Sequence, residues 1–122
     1  MEMSNLRQVI REQLLPVAQR VYYGTAPVSA EHPYAVFELQ ELSFDAGMSL
    51  QELEVSVLDY GTDTAPAEAI ADSIQTALGD FHSLTENFHV SIYRERRQPL
   101  YEDDKLIIRR RLTFQVRLYE RS

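Results

Sequence analysis

The sequence contains no cysteine and no tryptophan, and only 4 of its 122 residues are glycine. Without cysteine the chain cannot form disulfides, thiolate metal sites or a cysteine nucleophile. The glycines fit neither the GxGxxG nor the GxxxxGK spacing, and the sequence has no GxSxG. A dinucleotide-binding loop, a P-loop and a nucleophile elbow are therefore not indicated.

Long apolar runs are also missing. No run approaches the roughly 20 residues that a membrane helix requires, and Met1–Asn5 opens an amphipathic segment rather than a signal peptide. The length is typical of one domain. We therefore expect a single domain, residues 1–122, that has no membrane partner and stays where it is made unless another protein carries it.

Positive charge is absent from the whole middle of the chain. Between Val21 and Tyr93 there is no Lys or Arg but there are twelve Asp or Glu, whereas the segment from Arg94 onward has nine Lys or Arg and five acids. The net charge is −7. Because phosphate binding depends on clustered positive charge, we expect no direct sequence-specific binding of nucleic acid.

Hydrophobic periodicity predicts helices over Ser4–Arg20 and Ala65–Leu78. Alternation predicts strands, with a short extended piece at 21–23 before them: Tyr34–Leu42, Leu50–Tyr60, His89–Gln98 and Leu106–Tyr119. This order predicts an α+β fold, with a single mainly antiparallel sheet of four to five strands and two helices packed on one face. The last strand is long, so we expect a bend or bulge near Arg109–Arg111; only Arg110 interrupts its apolar face.

Few residues are candidates for chemistry. His32, His82 and His89 are scattered, and the acidic run Glu102–Asp104 lacks the EF-hand pattern and is typical of a solvated loop. The sequence therefore predicts no catalytic, cofactor-binding or metal-binding residues. An acid-rich chain always contains carboxylate pairs, so a small acidic hydrolase or ligand-binding module stays open as an alternative.

The arginines of the C-terminal part and the glutamates of the middle part have two interpretations. They can pair across the sheet within one subunit. They can also form a head-to-tail contact between subunits, which closes into a ring if the rotation allows. The candidate interface residues are Arg94, Arg96, Arg97, Arg109, Arg111, Glu38, Glu41, Glu52 and Glu54.

The chain resembles the tail-completion (tail-terminator) family of long-tailed bacteriophages. The resemblance covers nearly the whole sequence and depends on packing and turn patterns, not on a chemical signature. Pro16 within the first helix and the acidic middle depart from the family's pattern. The segments that carry the resemblance are Leu6–Val17, Arg20–Gly24, Pro27, Pro33–Phe37, Leu53–Val57, Ala67–Leu78, Pro99–Glu102 and Arg111–Tyr119.

The resemblance implies a structural virion protein and no enzyme. Such proteins form a ring, typically of six subunits, that caps the tail tube, ends its polymerisation and offers the surface for head attachment. The implied partners are further copies of the chain, the tail-tube protein and the head–tail connector protein. The implied location is the head-proximal end of the virion tail, after assembly in the bacterial host cytoplasm. A head-completion or neck (head–tail connector) ring protein is the nearest alternative.

Overall fold

A computed structural model describes residues 3–85 and 87–120. The elements in these residues follow the predicted order, with one additional strand before β2 and one after α2. Their bounds are α1 Met3–Ala18, β1 Val21–Tyr23, β2 Tyr34–Asp45, β3 Met48–Tyr60, α2 Ala65–Leu78, β4 Phe81–Leu84, β5 Phe88–Leu100 and β6 Ile107–Glu120.

The six strands of the described residues form one curled sheet in the order β1-β2-β3-β6-β5-β4. β1 runs parallel to β2, and the other neighbours are antiparallel. The predicted mainly antiparallel sheet of four to five strands is therefore wrong: the sheet is mixed and has six strands, within a fold that is still broadly α+β. β1 and β4 have three and four residues, too few for alternation to identify them as sheet strands.

Both helices pack on the same face of the sheet, which we call the helix face; the opposite side is the open face. In β3, Leu53, Val55 and Val57 are fully buried on the helix face, because successive side chains of a strand point to opposite sides. The helices complete this core with apolar stripes at helical spacing: Leu6, Ile10, Leu14, Ala18, Ala67, Ala71, Ile74 and Leu78. Burying a large aliphatic side chain contributes about 1.5–3 kcal/mol.

The segment between β2 and β3, predicted as a loop over 43–49, is a tight hairpin. Its turn is formed by Ala46 and Gly47, which have φ of 48° and 82°, the left-handed pair that a two-residue type I′ turn requires. β-Bulges lie between Glu41 and Ser43 in β2 and between Arg94 and Arg96 in β5.

Of the bend or bulge expected at Arg109–Arg111, the bulge is not found, since these residues of β6 pair with β3 without a register shift. β6 lies in the middle of the sheet and is held by strands on both sides, whereas bulges favour strands nearer an edge.

Candidate assembly interface

The open face of the sheet is divided by charge. Carboxylates lie on β2 and β3, where Glu38 pairs with Glu54 and Gln40 with Glu52. Arginines lie on β6 and β5, where Arg96 is opposite Thr113 and Arg111 is opposite Ser56. Six of the nine candidate interface residues share this face: Glu38, Glu52, Glu54, Arg96, Arg109 and Arg111.

The other three candidates do not join them. Glu41 on β2 and Arg94 and Arg97 on β5 point to the helix side, because their register partners Gln51, Phe114 and Leu112 are core-facing. Strand alternation separates Glu41 from Glu38, which is three residues away. On β5, alternation would keep Arg94 with Arg96, but the bulge between them instead places Arg94 on the same side as Arg97.

Two open-face arginines already have partners within the subunit. Arg111 Nε lies 3.8 Å from Glu54 Oε2, and Arg109 Nη1 donates to Glu102 Oε1 over 3.2 Å. These pairs line or border a depression of about 270 Å³, which is smaller than the roughly 300–1,000 Å³ of a small-molecule site. Glu38 and Glu52 form no ion pair within residues 3–85 and 87–120.

Arg97 is used by the fold itself. Its guanidinium donates to Asp72 Oδ1 over 2.6 Å and to Glu68 Oε2 over 2.7 Å, which ties β5 to α2. The hydrogen bond to Asp72, with the charges of Glu68 and Asp72, raises the pKa of Arg97 above its ordinary value. Arg110 contacts the other oxygen of Glu68.

The sequence did not predict this network of Arg97, Arg110, Glu68 and Asp72. Its one signal in the sequence is Arg110, which interrupts the apolar face of β6. Glu68 and Asp72 are four residues apart and so lie on the same side of α2.

The side chains of Arg94 and Arg96 form few polar contacts within the subunit. Both are exposed, and Arg96 Nη1 contacts only its neighbour Glu95, over 3.2 Å. Arg94 has no hydrogen bond or ion pair to another described residue. Its side chain lies across the end of α2, where a Cβ at Gly79 would stand 2.5 Å from Arg94 Cδ.

Glu41 forms the polar part of a second depression, the hairpin pocket. The carboxylate accepts hydrogen bonds from Ser49 Oγ at 3.1 Å and from Gln51 Nε2 at 3.3 Å. Gln51 also donates to Ser49 Oγ over 2.8 Å, and both residues are buried. Apolar side chains and one more carboxylate complete the walls: Leu6, Phe44, Phe88, Leu118 and Glu120.

Two of the three histidines come together on the open face. His82 Nδ1 and His89 Nε2 lie 3.0 and 3.1 Å from the Ser91 hydroxyl oxygen, and Asp80 Oδ1 lies 3.4 Å from His82 Nε2. The elements of a serine–histidine–acid set are thus present. Ser91 is only 1% exposed, however, so its hydroxyl has no room to attack a substrate carbonyl. His32 lies elsewhere, against Tyr34 and Tyr60.

The acidic run Glu102–Asp104 is used locally. Glu102 pairs with Arg109, and Asp104 accepts hydrogen bonds from the Leu106 amide and from the Tyr60 hydroxyl. No cluster of three or more His, Asp or Glu within the described part of the chain could hold a metal ion. Neither α1 nor α2, the helices of the described residues, is long and apolar enough to cross a membrane.

Comparison with known proteins gives a similarity to solved structures. No protein-family model matches the chain, and no curated protein is significantly similar to it. Among solved structures, the fold is similar to that of a chain from the virion of a native gene transfer agent (GTA) particle. The TM-score is 0.72 at 18% sequence identity, and the match covers 90% of this chain and 91% of that chain. At this identity, the similarity establishes a shared fold.

Proposed function

We propose that this protein is a structural component of a phage-like virion, and specifically the tail terminator. In this role it forms a homohexameric ring on the end of the tail tube, stops tube polymerisation and provides the surface to which the head attaches. Its partners are further copies of itself, the tail-tube protein and the head–tail connector protein. It acts at the head-proximal end of the tail, is assembled in the bacterial host cytoplasm, and has no enzymatic activity.

The observation that carries the proposal is the fold similarity to a virion chain over nine-tenths of both sequences. The match leaves about a tenth of the chain outside it, roughly 12 residues, which is fewer than either helix contains. The sequence resemblance to tail-completion proteins, which depends on different information, agrees with it. Together they favour an assembly role for a chain of this size.

The charge distribution supports a ring. Carboxylates gather on β2 and β3 and arginines on β5 and β6, toward opposite edges of one sheet. Such a subunit is complementary to a copy of itself in the head-to-tail sense, which generates closed rings. Of the nine candidate residues, we assign the contact to all but Arg97, which α2 holds. Arg94, Arg96, Glu38 and Glu52 have the fewest partners within the subunit. Charge pairs of this kind fix the register of a contact more than its affinity.

The alternative of a hydrolase or ligand-binding module has less support. The depression on the open face and the hairpin pocket, at about 270 and 200 Å³, fall below the usual range for small-molecule sites. A shallow depression of about 350 Å³ beside α2 reaches that range, but the only charged side chain among the described residues that line it is Asp72, which Arg97 already holds. The serine of the histidine pair is buried.

The proposal is tested by native mass spectrometry over a range of protein concentrations, with negative-stain images of the same samples. We expect closed rings of six subunits. A monomer at every concentration, both alone and with isolated tail tubes, would contradict the ring.

A further inference from the structure

The hairpin pocket is built to accept a cation with a long apolar stem. Its polar end has the carboxylate of Glu41, fixed by Ser49 and Gln51, and the carboxylate of Glu120 beside Gly47. Its walls include Leu6, Phe44, Phe88 and Leu118. Two carboxylates and an apolar wall match the two parts of an arginine side chain, whose methylene stem packs on apolar surface while the guanidinium pairs with oxygens.

The polar end of the hairpin pocket has more hydrogen-bond acceptors than donors. Gln51 uses its amide nitrogen on Glu41 and Ser49, and its oxygen has no hydrogen-bond partner within the described residues. The Glu41 carboxylate fixes this orientation of the Gln51 amide, because the reversed amide would place the Gln51 oxygen against Glu41. None of the described residues that line the pocket is basic. At about 200 Å³, the pocket suits one side chain rather than a drug-sized ligand.

A complementary side chain lies on the other side of the same sheet, just beyond the end of the short edge strand β4, whose Phe81 pairs with Ile92 of β5. Arg94 on β5 is exposed and has no ion-pair partner in residues 3–85 and 87–120, and its stem is held against Gly79. Like Glu41, it points to the helix side of the sheet.

The two positions are also nearly level along the strands. Arg94 pairs with Phe114, Phe114 with Leu53, and Leu53 with Leu39, two residues before Glu41. The offset is therefore about 7 Å along the strand direction, which an arginine side chain spans. When one copy is rotated about an axis parallel to the strands, each residue keeps its position along that axis and stays on the same face of the sheet. The β5 edge of one copy then meets the β2 edge of the next without sliding.

We infer that the hairpin pocket binds Arg94 of the adjacent copy in the ring. On binding, the Arg94 side chain turns away from Gly79 of its own subunit and places its guanidinium on Glu41 and Glu120, with its stem between Phe44 and Phe88. This inference rests on the proposed ring and adds the pair of residues that fixes the register of its subunits. Arg94 and Glu41 are thus the anchor of a heterologous contact, and the open-face charges lie beside it.

The test is a charge swap measured by native mass spectrometry. Arg94→Glu and Glu41→Arg should each raise the concentration needed for half-assembly by about tenfold or more, because like charges then meet in the pocket. The double variant R94E/E41R should recover most of the wild-type assembly. Lys105→Glu, an equal charge change in an exposed loop, is the matched control and should leave assembly unchanged. Circular dichroism of each variant checks that the fold is retained.

Cross-linking gives an independent readout, since the chain has no cysteine of its own. The double variant E41C/R94C, treated with a short bis-maleimide, should form a ladder of covalent oligomers, and either single variant should not. Rings that persist in both single reversals, with no ladder in E41C/R94C, would overturn the Arg94 contact while leaving the ring itself in place. A wild-type protein that forms no rings and gives no ladder would overturn the ring as well.

Discussion

Arg97 on β5 and Asp72 on α2, which are 25 residues apart in sequence, are joined by a hydrogen bond of 2.6 Å between Nη1 and Oδ1. The same guanidinium reaches Glu68 one turn earlier in the helix. This clamp separates Arg97 from its neighbours Arg94 and Arg96, which form no comparable contacts. Three arginines that look equivalent in the sequence therefore have different roles, one in the fold and two available for assembly.

Removing the clamp should weaken the fold. Arg97→Ala removes a charged donor from both Glu68 and Asp72, and hydrogen bonds to charged groups contribute about 1.5–3 kcal/mol. We expect a loss of that size in the free energy of unfolding, measured by urea denaturation. Arg96→Ala, whose ion pair with Glu95 is half-exposed, should change it by less than about 0.5 kcal/mol. Equal losses in the two variants would contradict a specific role for Arg97.

Gly79 is required by close packing. A Cβ at this position would stand 2.6 Å from the backbone oxygen of Gln75 and 2.5 Å from Arg94 Cδ. The backbone oxygen cannot move without disturbing the end of α2, so Gly79→Ala should cost about 1–3 kcal/mol as an overpacked site. Ser73→Ala, on the exposed side of the same helix, should be neutral or slightly stabilising. A neutral Gly79→Ala in thermal unfolding would show that the packing is looser than described.

The core should unfold as one unit. Leu112 is 1% exposed at the centre of the sheet, and truncating a buried leucine to alanine typically costs about 2–5 kcal/mol. Leu112→Ala should therefore lower the urea midpoint strongly, whereas Leu84→Ala, which is 67% exposed, should hardly change it. We propose that residues 1–122 are one domain, so both variants should unfold in a single transition. Two resolved transitions would argue for two units.

The pKa of Tyr60 depends on the acidic run Glu102–Asp104. The charge of Asp104, whose Oδ2 accepts the Tyr60 hydroxyl at 3.3 Å, raises the pKa of the phenol above its ordinary value. A raised pKa means that the folded chain holds this proton more tightly than the unfolded chain. The resulting contribution to stability is present below the ordinary pKa and is lost as pH rises through the folded pKa.

Asp104→Asn should therefore move the Tyr60 pKa down toward about 10. The alkaline absorbance titration is measured for the wild type and for Asp104→Asn, each with and without Tyr60→Phe. The difference within each pair isolates Tyr60 among the seven tyrosines. An unchanged difference titration would mean that the loop carboxylate does not act on Tyr60.

The long elements of the fold were predictable from the sequence. The alternation around Leu53 and Val55 and the stripe of Ala67, Ala71 and Ile74 lie in the strand and helix that the sequence predicts, since each has enough residues to show its period. The short edge strands were not predictable as members of the sheet. β1 and β4 are strands because β2 and β5 offer them backbone partners, and that is a property of the assembled sheet.

The candidate interface was likewise only partly predictable from the sequence. The sequence gives the charges of the nine residues but not all of their faces, because the bulge at Arg94–Arg96 shifts the alternation on β5. The partners of Arg97 and Arg110 on α2 depend on how the helix crosses the sheet, which no local pattern specifies. The hairpin pocket likewise combines residues from α1, β2, β3, β5 and β6.

The central claim is that this protein ends the tail tube, and the most direct test is the length of tails assembled without it. The gene is deleted from the phage or prophage that encodes it, and tails are measured by electron microscopy, with complementation by the wild-type protein and by Arg94→Glu. The account predicts overlong, headless tails that return to normal length with the wild-type protein but not with the variant. Headless tails of normal length would contradict the terminator role and assign the protein to the neck.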